Sequence, residues 1–277
     1  MLIFTQNGYE KSNYMNNIVT NFKTILQFAE RYGLPKSKKR AIVREYLQIK
    51  ILDFLYRQPI ASDLVFIGGT SLRLTRSLDR FSEDMDFDIS TKIISQIDKT
   101  IEKMFASFKQ ENISLDLYKN TTENRNYYEF RFTNLLFELG ISTNKDEKLM
   151  IKFDFETNWK KHQKEVLLVN RYGFLINVTT IPLEEHLVQK LTAYISRKQT
   201  LARDIYDLVW ILAQEVRPDW QFAKNNGLEK DLIIKAINKF EEERKKLKTY
   251  QARLNPFLIE DIKSSYLEHL PTLLKKI

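Results

Sequence analysis

Apolar residues recur at helical spacing over residues 14–32 and again over 38–57, with Leu34-Pro35 breaking the pattern between them. The run Leu64-Val65-Phe66-Ile67 stops at Gly68-Gly69, which predicts a short buried strand closed by a turn. Residues 84–89 alternate acid with apolar side chain, as a half-buried strand does. Residues 91–109 return to a helical period. Three β-like runs follow at 113–118, 127–133 and 149–156, with weaker ones at 166–169 and 174–179. The texture changes at Pro182, which follows Thr179-Thr180-Ile181 as a first-turn proline follows a cap. From there only helical periods remain, divided by Pro218, Pro256 and Pro271. This order predicts an α+β fold: helices, then a mixed sheet, then a helical C-terminal part, divided into residues 1–180 and 181–277.

Composition narrows the chemistry more than the fold. With 43% hydrophobic and 29% charged residues and no low-complexity run, the 277-residue chain is expected to fold around a sizeable core. The absence of cysteine excludes disulfides and thiolate zinc sites. Only His162, His186 and His269 supply imidazole, so a metal here is expected to be a hard cation held by oxygen. The net charge of +8 suits a polyanionic partner such as RNA, although an abundance of lysine alone gives the same figure. Its densest patch, Arg31, Lys36, Lys38, Lys39, Arg40 and Arg44, contains no acid. Aromatic residues do not interleave with the basic ones at base-stacking intervals, so no RNA-binding module is predicted. The first 14 residues lack the charged start and apolar core of a signal peptide, and no apolar run is long enough to span a membrane. A cytoplasmic protein without a membrane partner is expected.

Three segments carry candidate chemistry. Gly68-Gly69 sits between the buried strand and Thr70-Ser71, where paired glycines let the backbone approach a phosphate. If Thr70 or Ser71 opens a helix, free N–H groups point at that phosphate. Such a pair is also a common plain turn. The next segment, Arg80-Phe81-Ser82-Glu83-Asp84-Met85-Asp86-Phe87-Asp88-Ile89, puts Met85, Phe87 and Ile89 on one strand face and Asp84, Asp86 and Asp88 on the other. Carboxylates about 4 Å apart repel by roughly 4 kcal/mol at an effective dielectric near 20, so the row either stays wet or binds a divalent cation. Two Mg²⁺ ions need more oxygen than one strand offers. Asp154 in Leu149-Met150-Ile151-Lys152-Phe153-Asp154-Phe155-Glu156 is the candidate third ligand; its alternative is a surface acid beside Lys152. Finally, Lys190, Arg197 and Asp204 are spaced by seven, on one face if a single helix runs through them, though Lys198-Gln199-Thr200 equally suits a break. Asp204 and Asp207 are i, i+3 neighbours. Lys190 could hold a triphosphate, with Arg203, Asp204 and Asp207 fixing Lys190 and Arg197, or the group is an ordinary salt-bridge cluster.

Gly68-Gly69-Thr70-Ser71-Leu72 followed by Arg80-Phe81-Ser82-Glu83-Asp84-Met85-Asp86-Phe87 resembles the opening motifs of the AbiEii/AbiGii toxin family. Lys190-Leu191-Thr192-Ala193 with Arg197, then Arg203-Asp204-Ile205-Tyr206-Asp207-Leu208, resembles its two later motifs. The matching stretch runs from about residue 64 to 212, in the family's order. The resemblance implies a minimal DNA polymerase β-type nucleotidyltransferase with two lobes, an N-terminal mixed-sheet transferase lobe and a helical C-terminal lobe. It implies a toxin of a toxin–antitoxin or phage-defence pair, like the MenT-type toxins that add nucleotides to the tRNA 3′ end, and so NTP, tRNA and a cognate antitoxin as partners. Asp84 and Asp86 are implied as ligands of Mg²⁺ or Mn²⁺, to which the strand alternation adds Asp154 as the candidate third. The implied nucleotide-binding set is Gly68, Gly69, Thr70, Ser71, Arg80, Lys190 and Arg197. Either Asp204 or Asp207 is the acid of the last motif. The turn reads Gly-Gly-Thr-Ser where relatives often have Gly-Ser, which leaves open whether Thr70 or Ser71 meets phosphate. Transfer to a protein or a small molecule, and a non-catalytic nucleotide-binding partner protein, are the alternative readings.

Overall fold

The computed structural model describes residues 17–121 and 125–277. The first predicted helix is α1 (Asn17–Arg31), and its expected first residues, 14–16, lie outside the described ones. Then come α2 (Lys39–Tyr56), β1 (Leu64–Ile67), α3 (Gly68–Arg76), β2 (Met85–Ile89), α4 (Ile94–Gln110), β3 (Leu115–Thr121), β4 (Arg125–Phe132), the one-turn α5 (Leu135–Glu138) and β5 (Leu149–Glu156). A hairpin of β6 (Glu165–Arg171) and β7 (Phe174–Thr180) precedes α6 (Leu183–Ser196), α7 (Ala202–Leu212), α8 (Trp220–Asn225), α9 (Leu232–Glu243), α10 (Leu247–Leu254) and α11 (Leu270–Leu274). The predicted α+β architecture is the one observed. Two local expectations shift: helix α3 starts at Gly68 itself, and Pro182 is the cap before α6 and not its first residue. Of the two readings of residues 190–204, the break is the one observed, between α6 and α7.

Five strands form a mixed sheet in the order β1-β2-β5-β4-β3, with β2 and β5 parallel and the other pairs antiparallel. Side chains of period two give each strand one apolar face, and the buried face of the first three strands carries an aromatic ladder. Phe66 stacks on Phe87 and Phe87 on Phe155, each pair 5.0 Å apart between ring centres. These residues are register partners, Phe66 opposite Phe87 and Phe87 opposite Phe155. A one-residue slip would turn every ring into solvent, so the ladder pins the register. The neighbouring positions are pinned with it, and Ile67, Asp86 and Asp154 stand side by side across the three strands.

Helix α2 backs the sheet. It buries Ile42, Val43, Leu47, Ile49, Ile51, Leu52 and Leu55, and also the polar Glu45 and Gln48. The sheet, α1, α2, α4 and the hairpin share one apolar core, while α6, α7, α9, α10 and α11 pack around a second. Leu72 and Leu78 belong to this second core, so the segment after the Gly-Gly pair is anchored in the helical part. The anchoring continues through a short pairing: Phe81 N–H donates to the Phe257 carbonyl at 2.7 Å, and Arg80 bridges to Leu258. Among the described residues no helix is long and apolar enough to cross a membrane.

Candidate active site

Gly68 ends β1 with φ +77°, a backbone conformation that side-chain-bearing residues rarely adopt. A Cβ there would lie 2.1 Å from Asp86 Oδ2, so the missing side chain is what admits this carboxylate. A Cβ on Gly69 would lie 2.6 Å from Arg80 Nη2. The two glycines therefore serve close approach of the chain to an acid and a base. The first turn of α3 has no side-chain cap, which leaves its N–H groups available to an anion. The hydroxyls of the motif are placed elsewhere. Thr70 is fully buried and donates to the Asp84 carbonyl. Ser71, also fully buried, shares a 2.8 Å hydrogen bond with Thr180, which itself donates to the Phe66 carbonyl. Both tie the turn to its surroundings.

The carboxylates converge across β2 and β5. Burial first, then the neighbouring Asp84 and Asp154, push the Asp86 carboxyl up to about 7 against the pull of Lys190 and Arg203. Asp84 lies within 3.4 Å of the Arg203 guanidinium. The donor set suits a hard divalent cation, since the converging groups are carboxylate oxygens that repel one another. Among the described residues no three His, Cys, Asp or Glu side chains already stand at ligand spacing. Asp86 and Asp154 face a cleft of about 230 Å³ with Trp159 and Arg197 in its wall, and Asp84 and Asp86 also border a smaller hollow with Gly69, Lys190 and Arg203.

Asp88 takes a different course from Asp84 and Asp86. It is buried and accepts from the Asn158 and Trp159 N–H groups at 3.1 and 3.3 Å. His162 bridges it to Glu185, with Nε2 2.7 Å from Asp88 and Nδ1 3.0 Å from Glu185. The imidazole lies over the Phe222 ring, 5.4 Å away. Burial alone would lower the His162 pKa, but the two carboxylates outweigh it and raise it. This clasp fastens the loop after β5 to β2 and α6. It was not legible in the sequence, where the partners lie 74 and 23 positions from His162.

The last motif is a charge-compensated cluster. Asp207 is fully buried and accepts from two of the three Arg80 guanidinium nitrogens, Nε at 2.6 Å and Nη2 at 2.7 Å, with Lys190 Nζ at 2.6 Å. Burial would raise this carboxyl, yet Arg80 and Lys190 hold it at about 2. Asp204 pairs with Arg197. Arg203 spans Glu83 at 3.6 Å and Asp84 at 3.4 Å. Since α6 stops at Ser196, Lys190 and Asp204 lie on different helices and the cluster joins them. Arg80, 1% exposed, lies at the back of the small hollow, whereas Lys190 and Arg197 are more accessible, their side chains 12% and 43% exposed. His186 is buried and neutral, pushed down to about 3 by burial and then by Lys190. Two supporting residues come from α2: Gln48 donates to the Ser82 and Glu83 carbonyls at 3.1 and 3.0 Å, and Glu45 accepts from Arg73 at 2.7 Å. They carry no distinct signal in the sequence, since α2 also holds Arg44, Lys50 and Asp53.

A family model described as nucleotidyl transferase AbiEii toxin, type IV toxin–antitoxin system, matches residues 51–274. No curated protein matches the chain. Among solved structures, MenT4, a nucleotidyltransferase toxin from Mycobacterium tuberculosis, is 17% identical with a TM-score of 0.59, over 92% of this chain and 89% of that one. JHP933 from Helicobacter pylori is 20% identical with a TM-score of 0.54, over 85% of this chain and 90% of its own. At such identities the likeness is one of fold. The chain belongs to the AbiEii nucleotidyl transferase toxin family and is a nucleotidyltransferase. Membership implies an NTP substrate and a cognate antitoxin.

Proposed function

We propose that this AbiEii-family enzyme transfers a nucleotide from an NTP to the 3′-hydroxyl of an RNA acceptor, the tRNA 3′ end, with Asp84, Asp86 and Asp154 holding a divalent cation, Mg²⁺ or Mn²⁺. The observation that carries this reading is the register Ile67–Asp86–Asp154, which sets two carboxylates side by side, with a glycine at Gly68 that leaves room for Asp86. The surplus of positive charge and the family's toxin character support a nucleic-acid acceptor. When bound, the cation neutralises charge on the phosphates and lowers the acceptor hydroxyl's pKa.

The chain's own groups do the rest. The first-turn N–H groups of α3 donate to a phosphate, in place of the buried Thr70 and Ser71 hydroxyls. Lys190, held by Asp207, stabilises negative charge on the leaving pyrophosphate. Asp204 orients Arg197 toward the same cleft. Asp204 and Asp207 are in this reading positioning residues. The acceptor oxygen bonds to the α-phosphorus as the bond to the β-phosphate bridging oxygen breaks, and the hydroxyl proton passes to solvent.

The test is incubation with each labelled NTP, Mg²⁺ and total tRNA. RNase-sensitive label that disappears with Asp86→Asn is the expected result. RNase-resistant label would move the acceptor to a protein or small molecule. NTP binding without turnover would leave a non-catalytic partner protein.

A further inference from the structure

The basic stretch at residues 31–44 takes no part in the site described above. From Ser37 to Arg44 it lines an open hollow of about 580 Å³, facing Phe81, Gly140, Ile141, Pro256 and Phe257. A second hollow, of about 230 Å³, is bordered by Thr200, Leu201, Arg203, Arg253 and Phe257. The two share Glu83 and Phe257 as common walls. The second also shares Arg203 with the small hollow over Asp84 and Asp86. Through these shared residues the three hollows adjoin in a row, a groove that reaches the carboxylates past the Arg203 pairs with Glu83 and Asp84.

Its lining is strongly biased in charge. Along its first two hollows Lys38, Lys39, Arg40, Arg44, Arg203 and Arg253 face it, against a single acid, Glu83. Some of these cations are tied: Arg44 lies 2.8 Å from Glu83, Arg40 pairs with Glu147, and Lys38 donates to the Asn255 carbonyl at 3.1 Å. Lys39 and Arg253 are exposed, Lys39 in the lining of the first hollow and Arg253 in that of the second. At the junction the Arg203 guanidinium sits over the half-buried Phe257 ring, 5.8 Å from its centre. A single-stranded nucleic acid combines evenly spaced phosphates with unstacked bases, and a groove of cations with an apolar and aromatic floor matches both.

We propose that this groove, from Arg203 past Phe257 to Lys39 and Arg40, carries the single-stranded end of an RNA acceptor to Asp84 and Asp86. The proposal rests on the reading of the acceptor as RNA. An acidic peptide would satisfy the cations but would leave the Phe257, Pro256 and Ile141 floor unused.

The test measures binding apart from chemistry. A fluorescein-labelled single-stranded oligoribonucleotide is titrated with the full chain by anisotropy at several salt concentrations. The double variant Lys39→Glu/Arg253→Glu is expected to bind about tenfold more weakly, with a log Kd against log salt slope shallower by about 1.4, or about 0.7 for each phosphate no longer neutralised. Lys276→Glu, which lines a separate hollow beside the end of α7, is expected to leave both unchanged. Equal affinity and slope in the double variant, no RNA binding by the wild type, or displacement of RNA by polyglutamate as readily as by unlabelled RNA would each overturn the proposal. Labelling of tRNA by a double variant whose RNA binding is unchanged would sink the groove and spare the acceptor. RNA that binds in the groove and is never labelled would do the reverse.

Discussion

Asp86 and Asp207 lie in one site and titrate in opposite directions. Burial and two like charges push Asp86 up to about 7, while Asp207, more deeply buried, is held at about 2 by Arg80 and Lys190. Depth is therefore not what separates them. The chain supplies Asp207 with its counter-charges: Arg80 from the segment before β2 and Lys190 from α6. It supplies Asp86 with Asp84 and Asp154, which deepen its deficit. One acid is finished by the fold and serves the architecture. On the proposed reading the other is finished by a cation and serves the chemistry.

Substituting each acid is the most direct way to break this contrast. Asp86→Asn is expected to lower nucleotide transfer about a thousandfold, the equivalent of about 4 kcal/mol of transition-state stabilisation. It should leave thermal unfolding of the metal-free protein unchanged or raise it, because a repelled charge is removed. Labelled-NTP incorporation beside calorimetry checks both, and near-wild-type transfer would end the assignment. Asp207→Ala strands the buried Arg80 guanidinium and should cost about 3–5 kcal/mol, read as a lower denaturant midpoint. An unfolding curve matching the wild type would mean that Arg80 does not depend on this partner.

Two smaller effects sharpen the comparison. Mg²⁺ at about a hundred times its Kd should stabilise the wild type by about 2.7 kcal/mol and give Asp86→Asn much less. Equal shifts in melting temperature would place the ion elsewhere. The His162 clasp carries a part of the pH dependence, with the same sign as the part that the raised Asp86 carboxyl gives. Its folded pKa is raised above the ordinary histidine value, so its contribution is complete below about pH 6.5 and fades as pH climbs through that higher folded value. With charge-assisted hydrogen bonds at stake the effect is about 1.5 kcal/mol. His162→Phe keeps a ring over Phe222 and should flatten this dependence in unfolding midpoints measured across neutral pH. A loss of stability with falling pH in the wild type would reverse the sign and refute it.

Much of the outline was legible in the chain. The period-two alternation at 84–89 and 149–156 marked both acid-bearing strands with their apolar faces, and the change at Pro182 marked the start of the helical part. The Gly-Gly pair, the acids and the later Lys-Arg-Asp cluster were all visible as residues. Their relations were less so. Asp84, Asp86 and Asp88 share a strand face by periodicity, yet Asp88 is claimed by His162 from a loop 74 residues on. Thr70 and Ser71 looked like phosphate ligands, but a helix that starts at Gly68 carries both into the interior. Arg80 stood in the motif as a basic residue, and its bidentate partner lies 127 positions away.

The sequence by itself determined which faces of its strands and helices are apolar, that no thiolate metal site or disulfide can form, and which acids and bases stand close along the chain. These follow from local backbone geometry and side-chain chemistry, which neighbouring residues settle among themselves. Only the tertiary structure decided which carboxylate stands among like charges and which is neutralised by bases. That choice depends on the Phe66–Phe87–Phe155 register, which sets Asp86 beside Asp154, and on the docking of α6 and α7, which brings Lys190 and Asp207 to Arg80. A pKa is set by the charges around a group in space, and their distances exist only once the chain has folded.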